Sequence, residues 1–274
     1  MERADCHCHT IFSDGALTPL ELIDLAKEKE LSGLSITDHD SIGAYESALP
    51  YAKQLGIELI SGIEISAEHQ KYSIHVLGYS FDLKNDAIPA FCQKLQQGRT
   101  ERNLEILNRL SRLNMPMTLE EIQERFPHGT LGRPHIAKMM VEKKYVKSVK
   151  QAFDRYIGNQ SRCYVGGFQV AVEEAIELIH RANGFAILAH PHVIKPRRIL
   201  PELYAMPFDG IEGYYAQLSL GQVQPWLDIA RKKSWLVTGG SDFHGGEKAY
   251  PSLGRSWTPP ENFAVLRERF RQHS

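Results

Sequence analysis

An α/β fold, either a barrel or a doubly wound sheet, is what this sequence predicts, and three observations predict it. Seven short apolar runs recur along the chain, each ending in a polar or ionisable cluster. Continuous apolar runs of that length suit strands of a parallel sheet buried on both faces. Amphipathic helical stretches alternate with them, the pattern that builds such a sheet from β-then-α units. One region departs from the alternation: residues 98–166 read as consecutive helices, an all-helical insertion in a main domain of residues 1–97 and 167–274.

The elements follow in order. ADCHCH, from Ala4 to His9, is the first run, and Thr18-Pro19-Leu20-Glu21 is a capping box with proline at the first helical position. GLSITDHD (Gly33–Asp40), IELISGIEIS (Ile57–Ser66) and SIHVLGYS (Ser73–Ser80) are the next three runs. QGRTERNLEILNRLSRLN, MTLEEIQERF, RPHIAKMMVEKKY and VKQAFDRYIG then carry helical patterning without an intervening strand. AVEEAIELIHRANG reads as a helix ending at Gly184, a residue suited to a left-handed cap. FAILAHPH (Phe185–His192), FDGIEGYY (Phe208–Tyr215) and WLVTGGSDFH (Trp235–His244) complete the strands, with helices at VQPWLDIARKK and NFAVLRERFRQ.

The chain has 274 residues, a formal net charge of -1 and a pI near 6.9. Near-neutral charge argues against an extended nucleic-acid face and leaves room only for a local basic groove. No apolar run approaches the ~18 residues that span a bilayer, and MERADCHCH has no basic-then-apolar leader pattern. Cys6 and Cys8 are too close for a disulfide framework, and Cys92 and Cys163 stand alone, so a reducing cytoplasm is expected.

Twelve histidines are the unusual feature. Side chains alternate along a strand, so Asp5, His7 and His9 project one way while Cys6 and Cys8 pack behind them as small apolar groups. A pair of surface histidines is an even alternative for His7 and His9 alone. Asp14, His39, Glu64, His75, His190, Asp242 and His244 join them, each at or near the carboxyl end of a candidate strand, where an α/β barrel gathers its reactive groups. Nine such placements point to a metal centre. Nitrogen and oxygen donors without thiolate suit zinc, manganese or iron.

In that order, DCHCHTIFSDG, ITDHD, GIEIS, IHVLGY, LAHPH and GGSDFHG resemble the PHP (polymerase and histidinol phosphatase) family of metal-dependent phosphoesterases. The resemblance spans nearly the whole chain. It implies a distorted (β/α)7 TIM-like barrel with a helical insertion, and a site for two or three divalent ions, manganese first and zinc or iron next. GRPHIA (Gly132–Ala137) places the chain nearest the branch of 3',5'-nucleoside bisphosphate phosphatases and 5'-to-3' exoribonucleases. By the same resemblance one site takes His7, His9, Glu64 and Asp242. A second takes Asp14, His39 and His244, and a third takes His75 and His190 with Glu64 bridging. Some relatives have histidine where this chain has Asp14.

For substrate, the resemblance implies that Arg133 and His135 reach from the insertion to phosphate, Arg133 by its planar fork. Ser13 offers a hydroxyl or an amide to phosphate, or else only shapes its turn, and Arg255 holds a second phosphate or an ion pair. His192 shares the face of His190 if that strand continues; it is general acid or outer partner, with Pro191 disturbing the geometry. Asp242 doubles as a proton shuttle. Asp5, Asp38 and Asp40 read as groups that orient imidazoles, Tyr214 and Tyr215 as packing or a base platform, and His69, His128, His180 and His273 as solvated. The expected reaction is attack by a metal-bridging hydroxide on a nucleotide phosphate, from a 3',5'-bisphosphate or a short 5'-phosphorylated single-stranded RNA. Neither a membrane nor an obligate protein partner is expected. Histidinol phosphate, a non-catalytic metal-binding module and a carbon–nitrogen hydrolase are the alternatives.

Overall fold

The computed structural model describes residues 2–127, 131–159, 161–166, 170–245 and 251–273. The chain divides into two compact units, Met1–Ala90 with Val170–Ser274, and Phe91–Gln169. The first is mixed α/β. Its strands are β1 (Ala4–Cys8), β2 (Gly33–Ile36), β3 (Glu58–Ile60), β4 (Gly62–His69), β5 (Tyr72–Tyr79), β6 (Val170–Ala171), β7 (Phe185–Leu188), β8 (Gly210–Tyr215) and β9 (Leu236–Gly240). All seven apolar runs are therefore strands, and the run over Ile57–Ser66 supplies two, broken at Ser61.

The strands pair as two sheets, β1-β2-β3 and β6-β4-β5-β7-β8-β9. The first is parallel throughout. The second departs from the parallel expectation, because β5 runs antiparallel to both β4 and β7. The cause is local. Gln70 and Lys71, between β4 and β5, both take left-handed backbone with φ of 50° and 68°, the geometry of a two-residue type I′ hairpin. The two sheets meet at two seams. At one, the Asp40 N–H donates to the Glu64 carbonyl at 3.0 Å; at the other, the His9 N–H donates to the Phe243 carbonyl at 2.8 Å.

Helices α1 (Pro19–Glu28) and α2 (Tyr45–Leu55) cover the first sheet. The Thr18 capping box forms as the sequence predicts, with the Glu21 carboxylate accepting from the Thr18 N–H at 2.8 Å. Leu22, Ile23 and Ala26 of α1 pack with Leu34, Ile36 and Cys8 in one cluster. After α3 (Ala87–Ser111), the second unit continues with α4 (Leu119–Arg125), α5 (Arg133–Glu142) and α6 (Val149–Ala152), the last running on into a single π turn, Phe153–Ile157. Ile106, Leu110, Ile136, Met140 and Ile157 give that unit its own core.

The first unit resumes with α7 (Val172–Arg181), α8 (Leu200–Ala205), α9 (Leu220–Lys233) and α10 (Pro260–Arg271). At the end of α7 the left-handed residue is Asn183, φ 62°, and not Gly184. Gly184 serves a different need: a β-carbon there would stand 2.9 Å from both the Phe81 Cβ and the Tyr79 carbonyl oxygen. Phe263 and Leu266 of α10 are fully buried against Ala4, Cys6, Ile60 and Leu77. No helix among the described residues is long and apolar enough to cross a membrane.

Gly240 closes β9 directly against β1. A β-carbon at 240 would lie 2.4 Å from both the backbone nitrogen and the Cβ of His7. Gly240→Ala is expected to cost about 1–3 kcal/mol through overpacking. A lowered urea midpoint at unchanged slope is the readout, and a wild-type midpoint would show that the strands part without strain.

Candidate metal centre

β1 alternates as the sequence predicts. Asp5, His7 and His9 are fully buried, while Cys6 and Cys8 enter two different apolar clusters. Burial raises both thiols far above their ordinary pKa, so they stay neutral packing groups. The structure gathers eight of the nine candidate donors into three overlapping groups, two of which contain Glu64. His7, His9, Glu64 and Asp242 form one group, and His9, Asp14, His39 and His244 a second. The third is His39, Glu64 and His75, with donor atoms of each group within 4.8 Å of one another. His190 joins through its Nε2, 2.9 Å from Glu64 Oε1. His9 and His39 thus each stand in two groups, a sharing that the resemblance did not imply.

The tautomers follow from the partners. His7 Nδ1–H donates to Glu212 Oε1 at 2.8 Å, which leaves a lone pair on Nε2. His9 Nδ1–H donates to Ser13 Oγ at 3.3 Å, and the Ser13 hydroxyl in turn donates to Asp38 Oδ1 at 2.5 Å. His244 Nδ1–H donates to the Asp242 carbonyl at 2.9 Å. The free nitrogens then face carboxylates. His7 Nε2 and His9 Nε2 lie 3.3 and 3.1 Å from Asp242 Oδ1 and 3.4 and 3.3 Å from Glu64 Oε2. His244 Nε2 lies 3.2 Å from Asp14 Oδ1, and His75 Nδ1 2.6 Å from Glu64 Oε1.

A lone pair facing an anion needs a cation between them, a proton or a metal. With no metal among the side chains, a proton plays that part. Burial alone would lower the His9 pKa, but the Asp242 and Glu64 carboxylates outweigh it and lift it to about 10. Neighbouring imidazolium charge likewise overrides the burial of Glu64 and holds its carboxyl well below the usual range. Burial prevails at His39, bringing it down to about 4, and the buried Nδ1 atoms of His39 and His190 make no hydrogen bond. A donor set of imidazoles and carboxylates, with orphaned ring nitrogens and no thiolate, fits divalent cations.

Two strand ends bend to make this possible. His190 and Asp242 both have positive φ, 22° and 55°. Glu212, a buried carboxylate in β8, holds the first of them: Oε2 accepts the His190 N–H at 2.7 Å while Oε1 accepts from His7. Tyr215, also in β8, donates its hydroxyl to Asp242 Oδ2 at 2.8 Å. Sequence reasoning passed over Glu212, although a lone acid inside an apolar strand was a visible signal. Tyr215, expected to pack or to carry a base, instead holds a candidate ligand.

Several other expectations change. Ser13 is buried, its hydroxyl given to Asp38 and its N–H to the Thr10 carbonyl, so it shapes the turn and keeps no donor for phosphate. Asp5 ties backbone rather than imidazole, accepting from the N–H groups of His7, Ser241 and Gly254, and burial pushes its carboxyl up to about 6. Asp40 accepts from the Ser66 N–H. Asp38 orients a ring as expected, His9, through Ser13. β7 ends at Leu188, and Pro191–Val193 forms a 3-10 turn, so His192 does not share a strand face with His190. Its ring lies 4.4 Å from that of Tyr215 instead, and burial lowers its pKa.

Arg255 is exposed. Within the helical unit, Arg133 Nη1 donates to Asn159 Oδ1 at 3.1 Å, and His135 Nδ1 accepts the Gly132 N–H at 3.1 Å, closing the start of α5. His180 is exposed, as expected, and pairs with Asp209 at 2.7 Å, while the half-buried His69 meets Glu202 at 2.8 Å. His273 has a buried Nε2 without a hydrogen bond, and His128 lies outside the described residues.

Glu212→Ala removes the acceptor of two buried donors at once. Metal affinity is expected to fall by about 10–100-fold, with a smaller loss for Glu212→Gln, which still offers His7 an oxygen. Calorimetric titration with Mn2+, alongside a circular dichroism spectrum to check the fold, measures it. An unchanged affinity in the alanine variant would deny Glu212 this part.

The PHP domain family model matches residues 5–189. The chain is 32% identical to a 5'-3' exoribonuclease of Haemophilus influenzae over 248 residues, 89% of this chain and 90% of that one. It is 29% identical to a 3',5'-nucleoside bisphosphate phosphatase of Chromobacterium violaceum, with 93% and 92% covered. Among solved structures, a candidate metal-dependent phosphoesterase from Bifidobacterium adolescentis superposes with a TM-score of 0.87 at 29% identity, over 98% of this chain and 96% of that one. Nine convergent donors in the order of the six motifs, and a family match over most of the chain, lead to one conclusion: this chain belongs to the PHP domain family of metal-dependent phosphoesterases.

Proposed function

We infer that this chain hydrolyses phosphate esters of nucleotides, with 3',5'-nucleoside bisphosphates and short 5'-phosphorylated RNA as its substrate classes. One observation carries the reading: a single buried carboxylate, Glu64, is met by His7, His9, His39, His75 and His190, with Asp242 in the same donor group and Asp14 in the adjoining one. These groups would hold divalent cations, manganese the first choice, which would supply activated water and charge neutralisation for a phosphoryl group. The names of the exoribonuclease and the bisphosphate phosphatase support nucleotide substrates.

The chain's own groups divide the remaining work. His7 and His9 present Nε2 inward because Glu212 and Ser13 occupy Nδ1. Asp242 offers an oxygen that can take a proton from the attacking water, while Tyr215 keeps its other oxygen in place. His192, half-buried beside Tyr215 and with its ring 6.5 Å from that of His190, is the candidate imidazole for protonating a departing alkoxide. The motif GRPHIA and the exposed Arg255 are the phosphate-recognition groups of this reading. The two sheets joined at two seams correspond, in it, to a distorted (β/α)7 ring.

Phosphate release from pAp and from a short 5'-phosphorylated RNA tests the proposal, after metal stripping and with Mn2+ restored. Turnover that needs the metal supports it; amidase activity with no phosphate release would replace it. Glu64→Gln is expected to abolish turnover and to reduce bound metal, and wild-type rates in that variant would remove Glu64 from the centre. Arg133→Ala is expected chiefly to raise KM for substrates with two phosphates, which steady-state kinetics on pAp would reveal.

A further inference from the structure

The net charge of -1 conceals a division between the two units. Phe91–Gln169 carries 14 Lys+Arg against 7 Asp+Glu, a net of +7, while the remainder carries 18 against 26, a net of -8. Within the helical unit the excess is concentrated further. From Lys143 to Arg162 there are six cations, Lys143, Lys144, Lys147, Lys150, Arg155 and Arg162, and a single carboxylate, Asp154. Asp154 is taken by Lys150, and Lys143 is taken by Glu121. Lys144, Lys147, Arg155 and Arg162 are exposed and make no ion pair among the described residues. A cavity of about 520 Å3 opens in the same stretch, lined by Phe153, Asp154, Gly158, Asn159, Ser161 and Arg133.

Like charges held together on a small folded unit repel one another, and an arrangement of this kind is stabilised by a polyanion. The helical unit has an independent apolar core, so the cations are not needed to hold it together. A phosphodiester backbone is the polyanion that matches both the cations and the phosphoesterase reading on which this inference rests. We propose that the exposed cations Lys144, Lys147, Arg155 and Arg162 of the helical unit are a binding surface for the backbone of a single-stranded RNA. A surface that reads several backbone phosphates favours oligonucleotides over mononucleotides. The chain is then an exonuclease in preference to a mononucleotide phosphatase.

The test is binding by fluorescence anisotropy to the metal-loaded, full-length protein. The probe is a five-nucleotide 2'-O-methyl phosphorothioate RNA with a 5' phosphate, which keeps the backbone charge and resists hydrolysis. The triple variant Lys147→Ala/Arg155→Ala/Arg162→Ala should lose about tenfold or more in affinity, and its log K against log salt slope should shallow by about 2. Affinity for a single 3',5'-bisphosphonucleotide should fall less. A control with equal charge removed from the other unit, Lys53→Ala/Lys84→Ala/Lys232→Ala, should keep the wild-type slope. Should the triple variant melt early, Lys147→Glu alone gives the same direction from an exposed loop position. Equal losses for the triple variant and the control, or an unaltered salt slope, overturn the proposal, as does tighter binding to anionic-lipid vesicles than to RNA. Phosphate release from pAp by the wild type reads the underlying activity separately, so failure of the surface and failure of the phosphoesterase reading remain distinct.

Discussion

The buried carboxylate of Glu64 is the constraint around which the first unit is arranged. A carboxylate removed from water is costly unless positive charge or hydrogen-bond donors replace the lost hydration. Five imidazoles reach it from four separate segments: His7 on β1 and His9 just past its end, His39 after β2, His75 on β5 and His190 after β7. Neutral imidazoles whose free nitrogens face anions do not satisfy that requirement unless cations lie among them. The fold and the metal chemistry are therefore one problem: the strands must bring these groups together, and charge must then be supplied to keep them there.

The backbone carries the marks of that demand. The type I′ hairpin at Gln70 and Lys71 folds β5 back on β4, so His75, near the start of its strand, comes level with Ser66 and within reach of Glu64. His190 and Asp242 accept left-handed backbone, and β8 supports both: Glu212 takes the His190 amide and Tyr215 the Asp242 carboxylate. β8 is a strand that contributes no candidate ligand of its own. Its role is to position those of its neighbours, a division of labour common in metal sites.

Much of this was legible in sequence because it rests on periodicity. Alternation in DCHCH separated His7 and His9 from the two cysteines, and terminal clusters on apolar runs marked His39, His190, Asp242 and His244. What escaped was whatever depends on a partner far along the chain. Glu212 has no neighbouring motif to announce it, and its meaning comes from His7, 205 residues away. The hairpin was missed because Gln-Lys lacks the usual Asn-Gly signature, so a parallel strand was expected where an antiparallel one stands. Ser13 and His192 were assigned by closeness in sequence to candidate ligands, and tertiary hydrogen bonds and a 3-10 turn gave them other places. Net charge is silent for the same reason: an average over the chain hides opposite excesses in two units.

The most direct measurement is anomalous diffraction from crystals of the protein grown with Mn2+. Peaks beside both oxygens of the Glu64 carboxylate, shared with the ring nitrogens of His7, His9, His75 and His190, are what this account predicts. Full-occupancy metal bound elsewhere, with those imidazoles hydrogen-bonded to Glu64 and no peak among them, would contradict it.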